Sequence, residues 1–482
     1  MLTRLRVSGF KNLGDVDLRF GPFTCIAGRN GAGKSNVFDA ITLLADLASY
    51  PLVAAAMRVR GTEDRISGIE AIFSKTSEAG VKRAVFVAEM IVPHDVSDEY
   101  DRKATAQATY LEYSLTLCYD AQLSEQGKEP LYIDDERLEA KPSSTAGRHL
   151  LFGPSKRWRQ NYLVGPGQRK GAFIDTLQLD NGEAAIQLHG EGKGGRPSPF
   201  PARQAPQTVL SGINTNLYPT ALAARREMQS WRLLQLEPTA LRTPDQFRSA
   251  SHVSSTGQHL PNAVLRCNSG DEVAGLLAEL IPGIRSIDVD ADKPRQSNTL
   301  IVKLRDKQSY AASALSDGTL RFLALAVLAS DESERGLTCL EEPENGIHPT
   351  RIPQMVELVR RLADSRCIET SDAAEEDFPP YIRQVIINTH SPLVVAELQN
   401  DEILMAETLH WKGGDWVNFR PLPGTWRAAG LEPTRLVARG ELAEYLGAQG
   451  LAGRQGSVSG RSTVSAIYDA WIQQPLGLNE NK

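Results

Sequence analysis

The 482-residue sequence has few cysteines and no long apolar segments. Its five cysteines are widely scattered and form no Cys-x-x-Cys pair, which argues against a zinc site or a disulfide framework. No apolar run approaches the roughly 18 residues needed to cross a bilayer. The opening residues, MLTRLRVSGF, also lack the apolar core of a signal peptide. These absences predict a cytoplasmic protein without a membrane partner.

The sequence also lacks an excess of positive charge, since its formal net charge is −6. Proteins that bind nucleic-acid backbones usually have a basic surface, so any DNA contact must be local. Basic residues interleaved with an aromatic ring suit such a contact, although a solvated loop has the same composition. The candidates are Lys156, Arg157, Trp158 and Arg159, followed by Arg169 and Lys170.

Hydrophobic patterning predicts an α/β protein. Alternating segments, LTRLRVSGF, VDLRF and PFTCIAG, indicate strands that lead into the helical stretch SNVFDAITLLADLAS. AVFVAEMIV and YLEYSLTLCYD predict a flanking antiparallel sheet. From RFLALAVLAS to RQVIINTH, helix and strand alternate, which is typical of a mostly parallel sheet covered by helices.

The most specific motif is GRNGAGKS, which begins at Gly28 and has the spacing of a phosphate-binding P-loop between a predicted strand and helix. Its glycines let backbone N–H groups point at phosphate oxygens, and the following helix adds its positive end. Lys34 would bind the β- and γ-phosphates, and the Ser35 hydroxyl would bind Mg²⁺. A chance glycine turn is the alternative. The predicted nucleotide-binding residues here are Asn30, Gly31, Ala32, Gly33, Lys34, Ser35 and Asn36.

A second site is predicted where an apolar strand ends in two adjacent carboxylates, Glu341 and Glu342. Ligands of parallel sheets bind at this end of the strands. One carboxylate can bind the metal while the other orients and deprotonates water, so adjacency has a mechanistic use. A solvated acidic turn is the alternative.

Two weaker signals lie in the second half of the chain. Ser316, Asp317 and Gly318 precede the helix LRFLALAVLAS, where a helix N-terminus suits a phosphate. His390 follows the strand VIINT, where its imidazole would reach a γ-phosphate. Alone, a serine cap or a single histidine is usually structural. Their order after the P-loop supports the functional interpretation.

In this order, the motifs resemble those of the ABC ATPase superfamily. EEPENGIHP and LSDGT are similar to its RecF-like and OLD-like (overcoming lysogenisation defect) branch, as in AAA-type ATPases of bacterial anti-phage systems. The resemblance implies ATP and Mg²⁺ as cofactors. It also implies that Glu341 binds the metal in place of the commoner aspartate, that Glu342 is the catalytic base and that His390 is the switch histidine. Lys11 and Asn12 match residues near the nucleotide, whereas no glutamine-loop residue can be assigned.

The resemblance implies an ABC-type core with a mixed sheet, a flanking antiparallel sheet and a mainly helical insertion. The expected segments are the N-terminal part of the core, a Gly/Pro/basic loop-rich insertion, a helical insertion, the C-terminal part of the core and a mobile tail. They cover residues 1–140, 141–206, 207–285, 286–452 and 453–482.

In the superfamily, the signature of one subunit completes the ATP site of another, so one set of motifs implies a homodimer or a higher oligomer. OLD nucleases carry a metal-dependent nuclease domain after the ATPase, and the stretch after His390 is too short for it, so we expect no nuclease activity in this chain. The resemblance favours an ATPase that senses infection and controls a separate effector protein. A DNA repair ATPase that clamps DNA is the alternative, while a transporter ATPase is disfavoured by the long segment between the motifs.

Overall fold

The computed structural model describes residues 1–60, 66–75, 80–142, 146–167, 171–179, 183–191, 198–278, 283–305, 308–331, 333–363, 382–411, 413–447, 457–458 and 461–462. The α-helices are α1 Lys34–Leu47, α2 Leu52–Met57, α3 Ala121–Glu125, α4 Ala146–His149, α5 Lys156–Tyr162, α6 Pro219–Gln229, α7 Pro238–Leu241, α8 Leu260–Cys267, α9 Gly270–Leu277, α10 Asp317–Ser330, α11 Ile352–Arg361, α12 Pro392–Ala396 and α13 Arg439–Gly447.

The strands form two large sheets and smaller pairings. They are β1 Leu2–Phe10, β2 Leu13–Arg19, β3 Phe23–Ala27, β4 Lys82–Ile91, β5 Asp95–Ser97, β6 Lys103–Thr105, β7 Tyr110–Tyr119, β8 Leu131–Ala140, β9 Ile174–Gln178, β10 Ala184–Leu188, β11 Ser198–Pro201, β12 Arg232–Leu234, β13 Asp245–Gln246, β14 Ile284–Asp292, β15 Ser297–Leu304, β16 Ser309–Ala311, β17 Gly336–Glu341, β18 Arg383–Thr389, β19 Ile403–Trp411, β20 Gly414–Pro421, β21 Ser457–Val458 and β22 Arg461–Ser462.

The core sheet has the order β12-β17-β18-β3-β19-β20, and its strands are parallel except for the β19–β20 hairpin. All five residues of β3 are buried, as expected of a strand covered on both faces. Because β12, β17, β18 and β3 run in one direction, the loops that follow them meet at one edge. This confirms the predicted α/β core and brings the motifs together.

The second sheet is antiparallel, with the order β11-β10-β9-β8-β7-β4-β1-β2. It contains the predicted strands AVFVAEMIV and YLEYSLTLCYD, which pair as β4 and β7. The sheet continues into β9, β10 and β11, within the segment that was expected to be rich in loops. The alternation was too short there to be recognised, because each of these strands has five residues or fewer.

The segment 207–285 contains the expected helices α6, α8 and α9, but it also supplies β12 to the core sheet. β12 has only three residues, so its sequence alone carries no strand period. β14 and β15 form an antiparallel pair, and β13 and β16 also pair with β15. The predicted mobile tail lies outside the described residues, apart from the short β21–β22 pair. Among the described helices, none has the length and apolarity that crossing a membrane requires.

The basic segment around Trp158 lies in the insertion expected to be rich in loops, but it forms α5. Ser155 caps this helix by accepting a hydrogen bond from the Trp158 N–H at 3.1 Å. The Trp158 ring is 0% exposed and packs against Phe152 and Tyr162. It therefore cannot stack on a nucleic-acid base, and this part of the DNA-contact hypothesis is wrong. Lys156 and Arg157 remain on the surface, and the second basic cluster lies outside the described residues.

We expect Trp158→Ala to lower the free energy of unfolding by about 3–5 kcal/mol, since truncating a buried tryptophan removes apolar contacts and leaves a cavity. Urea denaturation followed by circular dichroism measures this change. Trp411→Ala is the matched control because that ring is 62% exposed, and it should change stability by only about 0.5 kcal/mol. Equal effects from both substitutions would contradict the burial of Trp158.

Candidate nucleotide site

The P-loop lies between β3 and α1, as its sequence predicted. Gly31 and Gly33 have φ values of 79° and 95°, a region in which side chains are strained. A Cβ on Gly33 would lie 2.4 Å from the amide nitrogen of Asn12. The turn therefore requires glycine both for its backbone and for the close approach of the β1–β2 turn. The β1–β2 turn is held there by a 2.7 Å hydrogen bond, which the Asn36 side chain donates to the Asn12 side chain.

Lys34 is buried within this turn. Its Nζ donates to the carbonyl oxygens of Gly28 at 2.7 Å and Arg29 at 2.9 Å. Burial lowers the pKa of the Lys34 ammonium, and the nearby charges of Glu342 and Glu344 only partly oppose that shift. The ammonium thus sits at the centre of the loop, in a position to bind an anion.

The register of the core sheet brings the remaining residues together. Leu234 of β12 pairs with Leu340 of β17, so the next residues, Gln235 and Glu341, are neighbours. Glu341 in turn pairs with Asn388 of β18. Thr389, which precedes His390, pairs with Ala27 of β3, immediately before the P-loop.

Glu341 is held by two side chains from outside the acidic strand. Arg60 donates from Nη1 to its two carboxylate oxygens at 2.8 and 3.0 Å. The Gln235 amide donates to Oε2. Asn388 approaches the Ser35 hydroxyl at 3.3 Å, so the two predicted metal ligands, Ser35 and Glu341, lie in one cluster.

Glu342 has a left-handed backbone, with φ at 43°. Such a conformation is unfavourable for a residue with a side chain and persists only where the surroundings stabilise it. Here Asn388 accepts the Glu342 N–H at both its side-chain oxygen, at 3.0 Å, and its backbone carbonyl, at 3.2 Å. With the backbone in this conformation, the second carboxylate contacts His390.

The Glu342 carboxylate lies 2.9 Å from Nδ1 of His390 and accepts a 2.8 Å hydrogen bond from Asn345. Burial would raise the pKa of Glu342, but the hydrogen bonds from Asn345 and His390 and the charge of Lys34 outweigh it and hold the pKa below its ordinary value. Glu342 is therefore ionised at neutral pH. A carboxylate in this state can accept a proton or orient a water molecule.

A polar cleft of 350 Å³ opens at this edge of the sheet. Its oxygen-bearing side chains suit Mg²⁺, which prefers hard oxygen ligands, and Lys34 supplies the positive charge that a phosphate requires. The cleft thus fits a magnesium-bound nucleotide. Its described lining includes Ser35, Gln235, Arg321, Glu341, Glu342, Asn345 and Asn388.

The signature residues adjoin the acidic strand but are not among those that line the cleft in the described part of the chain. Ser316 caps α10 by accepting the N–H of Thr319 at 3.3 Å. Arg242 donates to the Asp317 carboxylate at 2.5 Å. A Cβ on Gly318 would lie 2.8 Å from the Gly346 carbonyl, so the signature packs closely against the turn after Glu342.

Two more predicted residues are Lys11, on the β1–β2 turn, and Asn30, within the P-loop. Lys11 donates to Asp39 at 2.6 Å, and Asn30 is exposed. Sequence reasoning missed Gln235, Arg60 and Asn388. The only local signal for Gln235 was a polar residue after the apolar run RLL, and nothing around Arg60 marked it. Asn388 was hidden within VIINTH, since strand register alone places it beside Glu341.

Among solved structures, two SMC head domains are similar to this chain, with low TM-scores. An Smc head bound to the C-winged helix domain of ScpA has a TM-score of 0.42 and 16% identity, covering 87% of this chain and 98% of that one. The SMC head domain from Thermotoga maritima has a TM-score of 0.37 and 13% identity, with the same two coverages.

Two family models match the chain. One, described as "AAA domain, putative AbiEii toxin, Type IV TA system", matches residues 214–396, and another, described as "AAA domain", matches residues 4–137. Together these ranges contain the P-loop, the signature, the acidic strand and His390.

Curated relatives match over shorter stretches. An OLD nuclease of Thermus scotoductus is 52% identical over 44 residues, 9% of this chain and 8% of the nuclease. A DNA replication and repair protein RecF of Magnetococcus marinus is 47% identical over 62 residues, 12% of this chain and 16% of RecF. The RecF of Porphyromonas gingivalis is 23% identical over 199 residues, 39% of this chain and 52% of RecF. The chain thus spans about half or less of the length of these relatives. Together with the two AAA domain matches and the order of the motifs, these likenesses support an ABC-type P-loop ATPase of the RecF/OLD kind.

Proposed function

We propose that this protein binds and hydrolyses ATP with Mg²⁺, and that nucleotide binding joins two copies face to face. The observation that carries the proposal is the meeting of Ser35 and two adjacent carboxylates in one polar cleft, next to the buried Lys34 of the P-loop. Lys34 and the P-loop N–H groups would hold the phosphates, and Ser35 with Glu341 would hold the metal. When bound, the metal supplies positive charge at the phosphate oxygens and orients them.

The chain's own residues would perform the proton transfer. Glu342 would orient the attacking water and accept its proton, since its carboxylate is ionised and fixed by Asn345 and His390. Through Nδ1, His390 holds the carboxylate, and its other ring nitrogen is the atom that would contact the γ-phosphate. Gln235 and Asn388 would orient the metal-binding groups, because they contact Glu341 and Ser35.

The position of the signature supports the dimer part of the proposal. Ser316, Asp317 and Gly318 lie outside the described lining of the cleft, on an exposed helix N-terminus that suits phosphate. A second copy would bring these residues to the first copy's nucleotide. Assembly beyond a dimer is compatible with the same contact.

We further propose that the ATPase acts in the cytoplasm as a sensor and regulator of a separate effector in anti-phage defence, the effector supplying any nuclease activity. The matched family described as a putative toxin of a type IV system and the OLD nuclease support this role. The RecF relatives favour the alternative, a repair ATPase that clamps DNA directly. Lys156 and Arg157 would serve as backbone contacts in that case.

Light scattering coupled to size-exclusion chromatography separates these proposals. We expect the mass of the Glu342→Gln protein to double when ATP and Mg²⁺ are added, and to be unaffected by duplex DNA. A DNA-dependent increase in dimer would favour the clamp instead. A molecular mass that changes with neither ATP nor DNA would contradict nucleotide-dependent pairing. Samples with ATP but without Mg²⁺ are the internal control.

A further inference from the structure

Arg60 occupies an unusual position beside the predicted metal ligands. Its Nη1 makes two hydrogen bonds to the Glu341 carboxylate, and its Nη2 donates to the Ser35 backbone carbonyl at 3.0 Å. One guanidinium therefore bridges the two residues, Ser35 and Glu341, that are proposed to hold Mg²⁺. Hydrogen bonds between two charged groups, as in this contact with Glu341, are about twice as strong as those between neutral groups.

Asp39 binds the Nε atom of the same guanidinium. This carboxylate is 5% exposed and accepts a 2.7 Å hydrogen bond from Arg60 Nε. Asp39 also binds Lys11, whose Nζ in turn donates to the Arg60 carbonyl at 2.7 Å. The stem of Arg60 is thus fixed from α1 and the β1–β2 turn, while its Nη end extends to Glu341.

The carboxylate of Glu341 has limited capacity for more partners. Arg60 contacts both of its oxygens, and Gln235 contacts Oε2 as well. Mg²⁺ requires an oxygen lone pair at about 2.0–2.1 Å in a near-octahedral arrangement. A divalent cation at that distance would also repel the guanidinium strongly, since both charges would share one carboxylate in a partly buried site.

We propose that Arg60 and the divalent cation are alternative partners of Glu341, so that Arg60 is a positioning residue that sets the metal affinity of the site. The guanidinium releases Glu341 when the cation binds, and Asp39 keeps it nearby for rebinding when the cation leaves. This inference rests on the proposed function, because it takes Glu341 as a metal ligand.

The test measures Mn²⁺ binding to the nucleotide-free protein by the loss of the free-ion electron paramagnetic resonance signal. In Arg60→Ala, the Mn²⁺ concentration for half-saturation should fall about 10-fold, the size of effect typical of residues that contact metal ligands. Arg60→Lys should also bind Mn²⁺ more tightly than the natural protein, because its single ammonium keeps the charge but cannot bind Asp39, Ser35 and Glu341 through three separate nitrogens.

Arg58→Ala is the matched control. Arg58 is a neighbouring cation that pairs with Asp46 at 3.1 Å and stacks on Tyr50. Its removal changes the local charge equally without touching Glu341, so the half-saturation concentration should stay within about 2-fold. An equal shift in Arg58→Ala, or unchanged or weaker Mn²⁺ binding in both Arg60 variants, would overturn the inference.

A fluorescent ATP analogue, titrated into the same samples, separates this inference from the proposed function. If no sample binds the analogue, nucleotide binding and the inference both fail. If all samples bind it and the metal titrations coincide, only the competition at Glu341 fails. Near-ultraviolet circular dichroism verifies that each variant is folded, and Arg60→Lys keeps the test valid if Arg60→Ala does not fold.

Discussion

The Lys34→Ala protein is expected to lose ATP binding. Lys34 is the buried cation of the P-loop, and its Nζ would exchange two carbonyl partners for phosphate oxygens. Each of the two charge-assisted hydrogen bonds to phosphate contributes about 1.5–3 kcal/mol. Loss of both therefore corresponds to a roughly 10²- to 10⁴-fold lower affinity for ATP. Titration with a fluorescent ATP analogue measures the change.

The substitution should leave the fold intact, because the hydrogen bonds described for the Lys34 ammonium go to two carbonyls of its own loop. Lys128→Ala, at an exposed position in another turn, is the control for the loss of one positive charge. Undiminished ATP affinity in Lys34→Ala would refute the assignment of the P-loop, whatever the activity of the protein.

Glu342→Gln is expected to retain ATP binding and to hydrolyse ATP about 10²- to 10⁴-fold more slowly, the usual contribution of a general base. Glutamine keeps the length of the side chain and can still accept the hydrogen bond from Asn345, but it cannot take a proton from water. The backbone strain at φ 43° is unchanged by this substitution. Single-turnover release of phosphate measures the effect.

Glu357→Gln is the control for this experiment, since its side chain is half-buried on α11 and its described ion pairs are with Arg360 and Arg361, away from the cleft lining. It should hydrolyse ATP at the natural rate. Normal turnover in Glu342→Gln would show that another group accepts the proton, and Glu344, buried beside Thr389, would be the next candidate.

Several features were predictable because they depend on residues close in sequence. The P-loop is one short segment whose glycines, lysine and serine act through the local backbone, and the structure places it between β3 and α1 as expected. Glu341 and Glu342 were recognisable because an apolar strand precedes them. His390 was recognisable for the same reason, at the end of β18.

Other features depend on contacts between distant parts of the chain. Gln235 reaches Glu341 because a three-residue strand pairs with β17, 106 positions away. The Arg60 guanidinium binds Glu341, which lies 281 positions further along the sequence. Trp158 looked like a surface aromatic among cations, yet α5 turns its ring into a cluster with Phe152 and Tyr162.

The sequence by itself therefore determined the local motifs and their order, namely the P-loop, the paired carboxylates, the signature and the histidine, and it predicted the chemistry that we propose for them. The tertiary structure decided which side chains support that chemistry and which are buried away from it. The physical reason is that motif spacing encodes local backbone geometry, whereas strand order and register arise from burial of apolar surface over the whole chain.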